Sequence, residues 1–284
     1  MILSFVLTFN ILLFGHSFGV DCTEYLPQLA DAAGIEDVCV ARFFKSNCSL
    51  EESYNFFIED YDGGYSECAA GSTQWKKRKC TFKEAVASRK WDVVVFQNSL
   101  EGEGRYETVQ PWLNDMVKYV RKVQRKKFKS VPRFCWNMFW PISPLLESSA
   151  KEPHNTRMSY YDHSSAKAFG AYVETAMQVR RKTRLEIIPS GTAIMNLRAS
   201  RYNTPDRKEF TRDGYHMSMG AGRYAAACSW FQYFLAPRYG LQVEGNPFRM
   251  PDAADPVDDD IAPVLQRAAA LAVQSPFKVQ DPCQ

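Results

Sequence analysis

Five short runs of apolar residues recur along the chain, and stretches with helical spacing separate them. The runs lie at 10–14, 38–44, 92–97, 133–138 and 185–188. Each run is nearly continuous rather than alternating, which is typical of parallel strands buried on both faces. The stretches between them predict helices at 24–33, 50–57, 82–88, 108–126, 162–182 and 218–235. This alternation predicts an α/β fold, a flavodoxin-like three-layer α/β/α sandwich with about five mainly parallel strands.

No internal repeat or low-complexity linker divides the chain, so we expect residues 1–284 to form one domain. The segment 1–14 is apolar like the core of a signal peptide, but it lacks a preceding basic region and a small-residue cleavage site. We therefore interpret 10–14 as a buried strand and 1–9 as a short extension or the remnant of a signal. Residues 250–284 predict a loop rich in proline and aspartate, followed by a packing helix at 261–273.

Composition and charge narrow the class of protein. The chain is 45% hydrophobic and 24% charged, which excludes a disordered, collagen-like or coiled-coil protein. A net charge of +3 gives no electrostatic reason to expect a nucleic-acid partner. The longest apolar stretch is too short to span a bilayer. Four histidines and eight cysteines show no metal-ligand spacing, so we expect neither a metal nor a cofactor. Disulfides, compartment and oligomeric state stay open.

The first motif with chemical meaning follows the first strand directly. Residues 15–19 read Gly-His-Ser-Phe-Gly and match G-x-S-x-G, the pattern of a nucleophilic serine on a sharp strand-to-helix turn. The turn would present Ser17 at the carboxyl end of the sheet, where open α/β folds bind ligands. The alternative is a small-residue turn in which Ser17 only caps a helix.

The second motif lies about two hundred residues later, in a loop before a predicted helix. Residues 213–216 read Asp-Gly-Tyr-His, so that Asp213 and His216 can share one turn. His216 can act as a general base for a serine while Asp213 holds its tautomer. An Asp and a His at this spacing are also common in surface turns, and it is the combination with Ser17 that favours catalysis.

Together the two motifs resemble the SGNH (GDSL-like) hydrolase superfamily, and more closely its DUF4886 branch. The matching stretches are 11–29, 47–52, 91–111 and 213–226. Too few residues precede Ser17 for the α/β-hydrolase fold, which needs several strands upstream of its nucleophile. The resemblance implies that Ser17 is the nucleophile, His216 the base and Asp213 its orienting acid.

The resemblance also implies an oxyanion hole, and here the chain departs from the family pattern. One donor would be the backbone N–H of Ser17. Asn47 stands where the family usually has a glycine, and asparagine tolerates positive φ better than most residues. The family's G-x-N-D block is replaced by residues 96–99, so that Gln97 or Asn98 would supply the amide, with Gln97 preferred at the strand end.

Two further side chains are candidate substrate contacts at the same edge. Glu101 lies in a polar loop after the third strand, and Trp140 ends the fourth strand, where it would either stack on a sugar ring or pack in the core. Since carbohydrate-active branches exist in the superfamily, the resemblance implies a serine esterase that removes small acyl groups, O-acetyl above all, from a small-molecule or glycan ester. The alternative is a non-catalytic carbohydrate-binding protein on a degraded hydrolase scaffold.

Overall fold

The computed structural model describes residues 8–143 and 151–284, and in these residues one sheet of seven strands forms the centre of the molecule. The strand order across the sheet is β4-β3-β2-β1-β5-β6-β7. The strands are β1 (Phe9–Gly15), β2 (Val38–Phe44), β3 (Asp62–Ala69), β4 (Lys76–Thr81), β5 (Val93–Phe96), β6 (Arg133–Asn137) and β7 (Glu186–Ile188). Most of the predicted extension at 1–9 lies outside the described residues, but Phe9 already belongs to β1.

The five predicted strands form the parallel part of this sheet, which confirms the predicted fold class. β1 lies in the middle, and its Ile11 is in register with Val40 of β2 on one side and Val93 of β5 on the other. β6 and β7 continue the parallel order beyond β5. The order β2-β1-β5-β6-β7 is flavodoxin-like, and it reverses direction next to β1, where such folds bind ligands.

Strands β3 and β4 were not predicted, and they extend the sheet in an antiparallel sense beyond β2. Their sequences explain the omission. β3 begins with Asp-Gly-Gly, and β4 reads Lys-Lys-Arg-Lys-Cys-Thr, so neither is an apolar run. Charged side chains are typical of edge strands because they discourage pairing with other chains.

Helices cover both faces of the sheet. On one face α1, α2, α8, α9 and α11 pack against one another, and on the other α3, α4 and α5 do so. The helices are α1 (Ser17–Thr23), α2 (Leu26–Ala32), α3 (Leu50–Ile58), α4 (Phe82–Ala87), α5 (Trp112–Phe128), α6 (His154–Ser159), α7 (Ser165–Thr183), α8 (Ser190–Arg198), α9 (Ala221–Trp230), α10 (Ala236–Tyr239) and α11 (Ala262–Gln274). The predicted C-terminal helix is α11, which packs on α8 and α9.

The core is continuous across these layers. β1 and β5 are buried along nearly their whole length, as strands covered on both faces must be. All eight cysteines are free thiols, and seven of them are buried. Within the described residues, every helix is too short or too polar to cross a membrane.

Candidate active site

Ser17, His216 and Asp213 form a continuous hydrogen-bonded chain at the carboxyl end of β1. The Ser17 Oγ lies 2.8 Å from His216 Nε2. The Nδ1 of His216 lies 2.6 Å from Asp213 Oδ2. The other Asp213 oxygen accepts hydrogen bonds from the backbone N–H groups of His216 (2.8 Å) and Tyr215 (3.2 Å). The fold thus brings together the three residues that the motifs singled out, although about two hundred residues separate Ser17 from the other two.

Asp213 is suited to hold a histidine ring because it stays ionised. Burial alone would raise its pKa, but the hydrogen bonds from the His216 ring and from the His216 and Tyr215 backbone bring the pKa of Asp213 below its ordinary value. A carboxylate at Nδ1 places the ring proton there and leaves Nε2 free to accept a proton from Ser17.

A buried carboxylate on α1 anchors the loop that carries His216. Asp21 is fully buried and accepts hydrogen bonds from Arg223 Nε (2.8 Å), Arg212 Nη1 (3.3 Å) and the Met217 backbone N–H (2.9 Å). Since Asp21 lies one turn beyond Ser17 on the same helix, this cluster sets the distance between the two halves of the site. No motif in the sequence indicated Asp21.

His16 fixes the turn between β1 and α1. Its side chain is buried, its Nε2 lies 2.7 Å from the Asn98 carbonyl oxygen, and its Nδ1 accepts a hydrogen bond from the Phe18 backbone N–H at 3.4 Å. Burial lowers the pKa of His16 to about 4, so the ring is neutral at physiological pH. These contacts give His16 a packing role behind the turn and not a place beside the Ser17 hydroxyl.

Asn47 and Glu101 lie together at the rim of the candidate active site. Asn47 has a φ of 42°, in the left-handed region that asparagine tolerates. Its Nδ2 donates to both carboxylate oxygens of Glu101 (3.2 and 3.0 Å), and its Oδ1 accepts from the Leu100 backbone N–H at 3.1 Å. Only the backbone of Asn47 is therefore available as an oxyanion donor.

The two amide candidates after β5 differ in what they contact. Asn98 is fully buried; its Nδ2 donates to Thr108 Oγ1 at 2.8 Å, and its Oδ1 accepts from the backbone N–H groups of Leu50 and Ser99. The side chain of Asn98 thus joins three loop segments, and Thr108 takes one of its two amide hydrogens, which makes Asn98 the weaker candidate for the oxyanion amide.

Gln97 is the other amide. Its Oε1 accepts from Asn137 Nδ2 at 3.2 Å, while its buried Nε2 has no hydrogen-bond partner among the described residues. A Cβ atom added to Gly15 would collide with the Gln97 side chain, which packs directly against the turn before Ser17. An unpartnered buried donor at this position is consistent with the preference for Gln97.

Trp140 does not face the solvent, so of its two alternatives the structure shows packing in the core and not stacking on a sugar ring. The side chain is fully buried, and its ring stacks on Phe18 with centroids 4.7 Å apart. Its Nε1 donates to the Tyr215 carbonyl oxygen at 2.7 Å. The apolar surface of Phe18 draws Trp140 into the core, where it supports the loop before His216.

Three residues that the sequence did not indicate complete the rim. Arg157 forms an ion pair with Glu101 and lies 3.0 Å from His154 Nδ1. His154 packs on Tyr215 with ring centroids 4.2 Å apart, and Tyr215 packs on His216 at the same distance. Tyr215 lies inside the D-x-x-H motif, but α6, which carries His154 and Arg157, shows no local signal for this placement.

Metal chemistry has no obvious location in the described residues. These contain no group of three or more His, Cys, Asp or Glu side chains placed to bind an ion.

The fold and the site define an α/β protein of flavodoxin-like topology, with a serine, a histidine and an aspartate at the carboxyl edge of its sheet. The chain belongs to the DUF4886 family: residues 10–271 match the model described as "Domain of unknown function (DUF4886)". The resemblance drawn from the sequence is thereby confirmed.

One solved structure is of a protein from the same family with the same fold, and two others are more distantly similar to this chain. A DUF4886 family protein from Bacteroides uniformis ATCC 8492 is 26% identical, with a TM-score of 0.82 over 96% of this chain and 98% of that one. A proposed SGNH hydrolase from Slackia heliotrinireducens is 17% identical, with a TM-score of 0.49 over 78% of this chain and 95% of that one. The acetyl xylan esterase AlAXEase is 13% identical, with a TM-score of 0.43 over 78% of this chain and 98% of that one. No curated protein is significantly similar to this chain in sequence.

Proposed function

We propose that the protein is a serine esterase that works through a covalent acyl-enzyme on Ser17. The observation that carries the proposal is the chain from Asp213 through His216 to Ser17, with contacts of 2.6 and 2.8 Å. A base within hydrogen-bond reach of a hydroxyl, itself oriented by a carboxylate, is the arrangement that activates a serine nucleophile.

In the first half-reaction the Ser17 oxygen attacks the ester carbonyl carbon while His216 Nε2 takes the hydroxyl proton. The carbonyl oxygen becomes an oxyanion, which the Ser17 backbone N–H, the Asn47 backbone N–H and the Gln97 amide stabilise. The tetrahedral intermediate then collapses, and the protonated His216 gives its proton to the departing alcohol.

In the second half-reaction water replaces the alcohol. His216 removes a proton from the water as it attacks the acyl carbonyl, and the new tetrahedral intermediate releases the carboxylic acid. Ser17 recovers its proton from His216, and the enzyme returns to its starting state.

The substrate is a small acyl ester, O-acetyl above all, on a carbohydrate. The polar rim formed by Asn47, Glu101 and Arg157 supports an alcohol that carries hydroxyl groups rather than a long alkyl chain. Glu101 is the candidate side chain for contact with that alcohol, since 37% of its side chain stays exposed.

The test is hydrolysis of p-nitrophenyl acetate, butyrate and octanoate by the wild type, Ser17→Ala and the control Ser46→Ala. Ser46 is exposed and lies at the same edge of the sheet. We expect turnover to favour acetate, to fall by about 10³-fold or more in Ser17→Ala, and to stay unchanged in Ser46→Ala. Equal turnover by the wild type and Ser17→Ala would refute the proposal.

A specific observation favours one alternative, a carbohydrate-binding protein without activity. Asn98, one of the amides considered for the oxyanion hole, is committed to Thr108 and the α3 N-terminus. If the wild type hydrolyses none of the three esters and yet binds oligosaccharides, the alternative is correct.

A further inference from the structure

A groove of about 980 Å³ lies on the open face of β2, β3 and β4, beside α1. The helices α1 and α9 cover the neighbouring part of this face but stop short of β3 and β4. The wall on one side comes from Val20 and Glu24 of α1 and from Arg223 of α9. The proposed esterase mechanism uses none of these lining residues.

The floor of the groove is built by cross-strand rows with small residues in the middle. In one row Ser66 of β3 lies between Arg42 of β2 and Lys77 of β4. In the next row Gly64 lies between Phe44 and Lys79. Because side chains on one face of a sheet recur at every second residue, the small side chains of β3 leave a trough between two taller walls.

The lining carries an excess of positive charge. Five cationic side chains line the groove against two carboxylates. Arg42 pairs with Glu24, and Arg223 pairs with the buried Asp21. Lys77 makes no ion pair within the described residues, and the exposed Lys79 approaches Asp62 only to 4.0 Å. The uncompensated charge is therefore concentrated on β4.

One aromatic side chain adds an apolar surface to this charged trough. Trp75, just before β4, lines the groove and packs against Arg42, whose guanidinium carbon lies 3.2 Å from the ring centroid. Its Nε1 is buried and has no hydrogen-bond partner among the described residues. Aromatic surface and cations on one concave wall match a ring-shaped ligand with negative groups.

The groove ends at the same sheet edge as Ser17. Phe44 is in register with Gly15, and the Lys45 backbone N–H donates to the Gly15 carbonyl oxygen at 3.1 Å. Val20 lies three residues after Ser17 on α1, a rise of about 4.5 Å. A chain in the groove therefore reaches the region of the nucleophile within a sugar unit or two.

On the other side of Asn47 the charge is reversed. A cleft of about 510 Å³ is lined by four glutamates, with Arg105 as its cation. The anionic groups of a polymer would be repelled from this cleft and attracted into the groove, which leaves Glu101 at the rim to contact uncharged hydroxyl groups beside the ester. Because the two sides of the site carry opposite charge, they favour one orientation of a charged substrate.

We propose that the groove binds an anionic oligosaccharide, one that carries carboxylate or sulfate groups, and that it holds the alcohol part of the ester substrate beside Ser17. The assignment to the ester substrate rests on the proposed esterase function, whereas binding in the groove does not. A glycan fits better than a polynucleotide because only Lys77 and Lys79, with Arg78 between them, supply uncompensated charge.

The test is isothermal titration calorimetry with hexagalacturonate, a chondroitin sulfate hexasaccharide, neutral xylohexaose and a six-residue oligothymidylate. None of these probes carries a carboxylic ester, so wild type and Ser17→Ala should bind them alike. We expect one or both acidic sugars to bind at least tenfold more tightly than xylohexaose and the oligonucleotide, and to bind more weakly in 0.5 M salt.

Two variants place the binding in the groove. Lys77→Glu/Lys79→Glu should weaken binding of the acidic sugar at least tenfold, and Ser66→Trp should do the same by filling the trough without a change of charge. The matched control is Lys122→Glu/Lys126→Glu on the exposed face of α5, which changes the net charge by the same amount and should leave binding unchanged. Thermal unfolding of each variant shows that it is folded.

The proposal is overturned if neither acidic sugar is preferred, if the oligonucleotide binds equally well, or if the groove variants bind no more weakly than the control. Failure of the esterase function has a different signature, namely turnover that does not depend on Ser17. In that case binding of the acidic sugar to the groove would stand, and only its assignment to the ester substrate would fall.

Discussion

The buried carboxylate of Asp21 allows a sharp test of how the fold assembles the site. Asp21 joins α1, which carries Ser17, to the loop that carries His216, through Arg212, Arg223 and the Met217 backbone N–H. In Asp21→Asn the shape is preserved, but one oxygen becomes an N–H₂ group that faces a donor, and the charge that pairs with two arginines is lost.

The size of the stability loss in Asp21→Asn follows from the burial of the ion pair. Asp21 is fully buried, and the side chain of Arg223 is 12% exposed. Removal of one partner from a buried ion pair destabilises a protein by about 3–5 kcal/mol, and because the amide keeps part of the hydrogen bonding we expect about 3 kcal/mol. For a chain of this size that lowers Tm by about 6–12 °C.

Activity should fall as well, because the loop that carries His216 is released from the helix that carries Ser17. A displacement of about 1 Å between reacting groups can reduce a rate by about 10²-fold. The assays are thermal unfolding and the kcat for p-nitrophenyl acetate at a temperature where the variant is folded.

The matched control is Asp259→Asn, which makes the same chemical change in an exposed pair. Asp259 accepts from Arg249 Nε at 2.8 Å, but its side chain is 92% exposed. Such a pair contributes about 1 kcal/mol or less, so both Tm and kcat should change little. A wild-type Tm and kcat in Asp21→Asn would show that this cluster does not hold the two halves of the site together.

Three further predictions concern the residues around Ser17. Gln97→Glu replaces the unpartnered N–H₂ group by an oxygen, and we expect kcat for p-nitrophenyl acetate to fall by about 10²-fold with little change in KM. An unchanged kcat would show that Gln97 is not part of the oxyanion hole. Burial lowers the pKa of His16 from 6.5 to about 4, so between these values the unfolded chain binds more protons than the folded one, and stability falls as the pH drops from 6.5 toward 4. Urea unfolding at several pH values should show that His16→Asn loses about 3 kcal/mol less stability over this range than the wild type. Equal losses in the two proteins would contradict the prediction. Trp140→Phe removes the hydrogen bond to Tyr215, so thermal unfolding should show that stability falls by about 1–2 kcal/mol, while oligosaccharide affinity is unchanged. Weaker sugar binding by a folded variant would show that the Trp140 ring contacts the ligand.

Local patterns were sufficient for the parallel core and for the three polar residues of the candidate site. Strands buried on both faces need continuous apolar residues, so β1, β2 and β5 are visible as runs in the sequence. Ser17 and the Asp213–His216 pair stand in short motifs because a tight turn constrains nearby residues. β4 was missed since an exposed edge strand needs no apolar run.

The direction of each side chain and the partners from distant segments depended on tertiary packing. Gln97 and Asn98 are neighbours of similar chemistry, yet one amide lies beneath the turn before Ser17 and the other reaches Thr108. Asp21, Arg157 and the groove on β4 join segments that are far apart in the chain, and such contacts have no local sequence signature. The sequence by itself determined which groups can react, because that depends on residue type and short spacing. The tertiary structure alone decided which of these groups meet at the edge of the sheet, because orientation is set by the packing of many distant side chains at once.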